Sequence, residues 1–289
     1  MRRLQPVAVA LLLALLLSAC TRTPRNIFRR GHKVVTGTSP ALKVATRDEL
    51  NAIISRTYNG VQSFAATVTL SASSGSVYQG HIVDYTSIPG LILFRKPDDI
   101  RIHATLPYVG TLAFDMVSNG TDFRFFLEKN NEFVQGKNSA PAQSQNKMEN
   151  LRPEAFLSSM LILPWNPATE SVMLKDDTDE EDALYRLEFN GKAADGTPIP
   201  AREIWFDRQD LSIVRQKVYD PSGSIVSDTS YSAWRVFNGV SFPAHIDINR
   251  RMDEYGVAIE ILKMDMNKEI TNAQFVLEQP EGSKLRVIN

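Results

Sequence analysis

The chain has 289 residues, with 32 lysines and arginines against 33 aspartates and glutamates, for a net charge of −1. That balance offers no bulk attraction to nucleic acid, and a hydrophobic fraction of 43% over this length is enough for a sizeable core. One cysteine, Cys20, leaves no partner for a disulfide and no cysteine metal centre, so the core alone must hold the fold.

The N-terminus reads Met1-Arg2-Arg3, then an apolar stretch from Val7 to Leu17, then Leu17-Ser18-Ala19-Cys20. A short basic start, an apolar segment too short for a membrane span and small residues at the exit describe a secretory signal peptide, residues 1–19. The closing tetrapeptide resembles the lipobox of bacterial lipoproteins, in which the cysteine is acylated and becomes the first mature residue. That resemblance implies membrane lipids as partners, reached through acyl chains on Cys20, two or more of which make a durable anchor. Thr21 follows the cysteine. In proteobacterial lipoproteins an aspartate there marks retention at the inner membrane, so the expected location is the outer membrane, facing the periplasm.

Residues 20–45 read as a tether, rich in Arg and Lys with Pro24, Gly31, Gly37 and Pro40 and without apolar periodicity. A domain is expected over 46–289. Thr46-Arg47-Asp48-Glu49 fits a capping box, and Leu50, Ile53, Ile54 and Thr57 form one stripe of a helix that stops at Gly60. Strands follow. Phe64 to Ala72 alternates with period two, Ser73 to Ser76 reads as a turn, and Val77 to Thr86 as the return. Leu91 to Phe94, Asp99 to Leu106, a hairpin around Asn119-Gly120, and Phe133-Val134 continue the pattern. Residues 136–150 are polar and read as a loop. Pro153 to Ile162 predicts a second helix, with proline in its first turn. The second half is a run of strands separated by Asn190-Gly191, Asp195-Gly196, Pro221-Ser222-Gly223 and Asn238-Gly239. The run Asp176 to Asp182, six carboxylates in seven residues, lacks the glycine and distal glutamate of an EF-hand loop and reads as a solvated turn. The expected fold class is mainly β: eleven or so antiparallel strands in a curved sheet, an incomplete barrel covered by two or more helices.

Four segments, in order, are similar to the LolA/LolB family of lipoprotein carriers. They are Phe94-Arg95-Lys96-Pro97-Asp98 with Ile100-Arg101, then Ser118-Asn119-Gly120, then Trp205-Phe206-Asp207 through Leu211, Ile213 and Arg215, and finally Phe275 to Gly282. The resemblance spans about residues 46 to 285. It implies an unclosed barrel with helices as a lid over an apolar cavity that holds acyl chains of lipoproteins or lipids. This chain is lipidated, unlike the soluble carrier, and longer than the lipid-anchored receptor. Cavity candidates are Phe64, Val68, Leu93, Ile100, Ile102, Leu112, Phe114, Met116, Phe123 and Phe125 on strands, with Phe156, Met160 and Leu161 on the lid helix. Residue type alone does not separate a cavity wall from a filled core. In the family an arginine holds the lid shut, which makes Arg95 and Arg101 cavity-mouth candidates, or else exposed strand-edge cations. Ile88 and the loop from Leu106 to Gly110 are apolar, and Ile88 is the candidate for membrane contact.

An enzyme is not expected, nor a cofactor or metal. His32, His81, His103 and His245 show no metal spacing, and no nucleophile elbow, phosphate loop or dinucleotide glycine pattern occurs. The rival to a carrier is an envelope sensor of the same fold that binds a protein partner.

Overall fold

The computed structural model describes residues 41–76, 81–139 and 153–288. The signal peptide, Cys20 and most of the tether lie outside the described residues, as does most of the 136–150 loop. Residues from Ala41 onward form one compact unit. Ala45 is already buried and the Lys43 amide donates to the Arg208 carbonyl, so the last residues of the expected tether belong to the folded unit.

The first helix, α1, runs Arg47–Gly60 with Thr46 as N-cap; both halves of the capping box form. Among the described residues fifteen strands follow: β1 Ser63–Ser76, β2 His81–Asp84, β3 Ile88–Arg95, β4 Asp99–Thr105, β5 Leu112–Asn119, β6 Asp122–Leu127, β7 Glu132–Lys137, β8 Ser171–Asp176, β9 Leu184–Lys192, β10 Pro198–Asp207, β11 Ile213–Tyr219, β12 Ile225–Phe237, β13 Val240–Arg250, β14 Tyr255–Met266 and β15 Lys284–Ile288. The second helix, α2, spans Pro153–Met160, between β7 and β8. One sheet holds every strand in the order β15-β7-β6-β5-β4-β3-β1-β14-β13-β12-β11-β10-β9-β8, with β2 paired to the end of β1. Among the described residues the sheet has two free edges, β15 and β8, and is an incomplete barrel.

Three details differ from expectation. β1 continues through Ser76, so the stretch Ser73 to Ser76 is strand rather than turn. Asn190-Gly191 lies inside β9, and the chain reverses instead over 193–197 around Asp195-Gly196. The sheet is not wholly antiparallel: β15 pairs in parallel with β7. There the backbones crowd, and a Cβ on Gly136 would stand 2.5 Å from the Ile288 carbonyl oxygen. By contrast Asn238-Gly239 is a true hairpin turn, both residues at positive φ, as a two-residue reversal matched to strand twist requires.

Alternation along the strands sends one set of side chains to a shared apolar cluster. Val134 of β7 and Val172 of β8, near opposite edges of the sheet, belong to that same cluster, as a sheet wrapped around its own inner face demands. At its centre Phe64 meets Phe94 and Phe242, with ring centroids 5.3 and 5.9 Å apart. Aromatic pairs at such spacing add about 0.5–1.5 kcal/mol each beyond area burial. The stripe of α1 (Leu50, Ile54) and that of α2 (Phe156, Met160) complete the cluster from above.

Candidate functional site: the inner face and its helical lid

Strand periodicity fixes which residues face inward. Phe64, Val68, Ile100, Ile102, Phe114, Met116, Phe123 and Phe125 all join the inner cluster, with Phe156, Met160 and Leu161 packed on them. Two candidates do not. Leu93 is buried on the other face, since Ile92 and Phe94 on either side of it point inward. Leu112 packs on a second, outer cluster of Val117, Phe126, Phe133 and Leu277. A bulge at Ala104/Thr105 shifts the register opposite it and reverses the facing of Leu112 relative to Phe114.

Arg95 and Arg101 are also on the outer face and do not touch the lid. Arg95 pairs with Asp99 at 2.6 Å and donates to the Ile270 carbonyl. Arg101 pairs with buried Asp115 at 2.6 Å and donates to the carbonyls of Gln274 and Val276. Arg124 donates to the Leu277 carbonyl. Together they strap residues 270–277 across the outside of the sheet, covering the second cluster. Ile88 is half-buried against the inner core, whereas Leu106, Tyr108 and Val109 of the neighbouring loop are exposed.

The arginine that does hold the lid is Arg202, which the sequence reading passed over. It shares the inward register of Ile204 and Phe206, is 8% exposed, and stacks on Phe189 at 4.2 Å. Its guanidinium donates to the carbonyls of Leu163 and Pro164, just beyond α2, and to both oxygens of Glu170 at 3.1 and 2.8 Å. The end of α2 is fastened as well. Tyr231 donates from its hydroxyl to the Ser159 carbonyl at 2.8 Å, and Thr229 Oγ1 donates to Ser159 Oγ at 3.2 Å. Burial raises the Tyr231 phenol well above its ordinary value, so it stays a donor. Polar bonds thus hold a helix over an otherwise apolar surface.

Space under the lid is small. The void between α1, α2 and the sheet, lined by Ile54, Tyr58, Met160, Ile213, Tyr231 and Trp234, holds about 10 Å³, scarcely one water. Beside it a groove of about 390 Å³ runs between the 161–170 segment and the inner face of β10 and β11, lined by Leu161, Leu163, Pro164, Ala201, Val218, Arg202, Glu170 and Gln216 among others. That volume is within the range of small-molecule sites, ~300–1,000 Å³.

No family model matches the sequence, and no curated protein matches it. Solved structures match the fold. A LolA superfamily protein from Nitrosomonas europaea superposes with a TM-score of 0.52 at 11% identity, over 81% of this chain and 99% of its own. A protein domain ascribed to outer membrane lipoprotein sorting, from Vibrio parahaemolyticus, gives 0.50 at 9% identity, over 78% and 94%. A DUF1329 family protein from Desulfovibrio piger gives 0.52 at 15% identity, over 79% and 96%. The fold is LolA-like.

Outside the inner face, the LolA-like domain offers a larger groove of about 520 Å³ between the 275–276 stretch and β15. Its lining mixes Asp99, Asp122, Arg124 and Lys137 with Val117 and Val287. It has neither one sign of charge nor a continuous apolar wall, so an alkyl chain is better matched by the groove under the lid. The acidic run is a turn: Asp179 accepts from the Glu181 and Asp182 amides, Asp176 pairs with Arg208, and Asp177 with Arg186.

Proposed function

We propose that the chain is a lipid-anchored protein of the bacterial envelope that takes acyl chains of lipoproteins or lipids onto its inner face, for transfer to or insertion in the outer membrane. The observation that carries this reading is the covering of the inner face. An apolar concave surface is closed by a short helix and its trailing segment, with polar bonds holding them down and a groove of about 390 Å³ along the edge. A domain that needed only a core would gain nothing from a lid fastened by few, breakable bonds. Moving α2 aside exposes Phe114, Met116 and Ile102 to a guest that replaces the contacts of Phe156 and Met160. Exchange of apolar helix surface for alkyl chain is close to neutral in transfer free energy, so loading requires little net driving force. The LolA-like fold supports the same reading. The reading assigns no catalytic step and requires no cofactor.

The anchor follows from Leu17-Ser18-Ala19-Cys20, and the outer-membrane location from Thr21. Replacing Cys20 with serine is expected to abolish the acyl mass on the mature N-terminus and to move the protein from the membrane to the soluble fraction. An unchanged mass and partition would remove the anchor from the reading. For the cavity, native mass spectrometry of the chain released gently from a bacterial envelope is expected to show a bound mass that yields acyl chains on denaturation. A bare protein that stays bare after incubation with phospholipid or lipoprotein would mean a permanently filled core.

A further inference from the structure

We propose that the guest of the inner face is a single-chain anionic amphiphile, a carboxylate or phosphate monoester on one alkyl chain, whose head group takes the place of Glu170 on Arg202. This rests on the acyl-binding reading above and narrows it. The reason is the way Arg202 is satisfied. Its side chain is 9% exposed, and its neighbours across the two flanking strands are Phe189 and Val218, so its strand surroundings are apolar. The hydrogen bonds it donates go to the Leu163 and Pro164 carbonyls and the Glu170 carboxylate, all on the one segment that trails α2. Lifting that segment to admit a guest strips the guanidinium of these acceptors together. Arginine cannot shed its proton to relieve the loss, and a buried cation without an acceptor is strongly disfavoured.

An open state is therefore stable only if the guest brings its own acceptors. A planar carboxylate or a phosphate fits the guanidinium fork with two parallel bonds, as Glu170 does now. The groove that Arg202 lines also presents its strand neighbour Val218 together with Leu161, Leu163 and Ala201, apolar surface for an alkyl tail beside the head group. At about 390 Å³ the groove is near the small end of ligand sites and suits one chain rather than two or three. Glu170 is then an internal mimic of the ligand, holding the site closed until an anion displaces it.

The test uses the full chain carrying Cys20→Ser, which removes its own acyl chains from competition. Palmitate, hexadecyl phosphate and hexadecanol share one tail length and differ in the head, and each is titrated at about pH 8, below its aggregation limit, with binding read by calorimetry. At least one of the two anions is expected to bind about tenfold or more tighter than hexadecanol, as a charge-assisted pair in a dry site should. The tighter of the two identifies the head group. Arg202→Gln is expected to erase that preference, so that neither anion binds tighter than hexadecanol to the same variant, and Glu170→Gln to tighten the anions by removing their competitor. Equal binding of all three heads, or a preference that survives Arg202→Gln, overturns the proposal and leaves the acyl cavity standing. Failure of every amphiphile to bind overturns both. Should Arg202→Gln not fold, the other arms decide: anion affinity unchanged or weakened by Glu170→Gln counts against displacement.

Discussion

At the scale of single residues, two of the buried polar side chains carry the most information, Arg202 on the sheet and Asn51 on α1. Arg202 was readable in principle. In Ala201-Arg202-Glu203-Ile204-Trp205-Phe206 it shares parity with Ile204 and Phe206, and a cation on an apolar stripe is a signal in itself. Leu93 was not readable, because Leu91 to Phe94 is apolar on both faces and parity carries no information there. Asn51 is the second case. It lies on the buried side of α1, 8% exposed, and neither amide atom meets a hydrogen-bond partner among the described residues. A buried amide without a partner costs about 1–3 kcal/mol. Asn51→Leu, which keeps the branching of the side chain, is therefore expected to raise the unfolding free energy by about 1 kcal/mol. Urea denaturation at neutral pH measures this, with the midpoint moving up and the slope unchanged. A fall in the midpoint would mean that Asn51 satisfies a bond the closed domain needs.

At the scale of elements, local signals and long-range ones fared differently. The capping box at Thr46 and Glu49, the Asn119-Gly120 hairpin and the Asn238-Gly239 turn are each encoded within a few residues, and each was legible. The closing strand β15 was not, because five residues, four of them polar or exposed, pair with β7 across about 150 residues of chain, and nothing local announces a parallel partner. The turns themselves predict acid behaviour. Asp220 accepts from the Ser222 hydroxyl and from the Ser222 and Ser224 amides, Asp195 from the Thr197 amide, and Glu49 from the Thr46 amide and hydroxyl. Those bonds to the ionised form hold all three carboxyls below their ordinary values of 3.8 for aspartate and 4.5 for glutamate. A group whose folded pKa is depressed stabilises the fold above its unfolded pKa and loses that contribution as pH falls through the folded one. Denaturation midpoints should therefore be flat from about pH 7 to 5 and fall by about pH 3.5. Because the acceptors bond to nearby amides and hydroxyls rather than distant charges, the fall should persist in about 0.5 M salt. A midpoint at about pH 3.5 equal to that at 7 would show that these bonds do not bias the equilibrium.

At the scale of the whole molecule, the decisive property is that the sheet is open and its concavity is closed by helices rather than by a second layer of strands. Amphipathic periodicity announced both helices, and the alternating strands announced a surface for them to cover. The degree of closure, with about 10 Å³ left beneath the lid, is a matter of side-chain fit that no pattern of residue types conveys. On the proposed reading an acyl chain reaches the surface beneath α2 only when α2 moves, so uptake should be lost when α2 is tied to the sheet. Ser159 of α2 and Thr229 of β12 place their hydroxyl oxygens 3.2 Å apart, with α2 on one side of the concavity and the sheet on the other. The only native cysteine, Cys20, is the expected site of acylation, so a pair introduced at 159 and 229 has no competing thiol in the domain. In the chain carrying Ser159→Cys and Thr229→Cys, oxidation should abolish uptake of a fluorescent fatty acid, and reductant should restore it. In each single variant uptake should be the same in either redox state, because a lone thiol cannot hold the lid. Uptake that continues with the disulfide demonstrably formed would place the guest elsewhere than beneath α2, leaving the groove along the 161–170 segment, and after it the one between the 275–276 stretch and β15, as the surfaces to probe next.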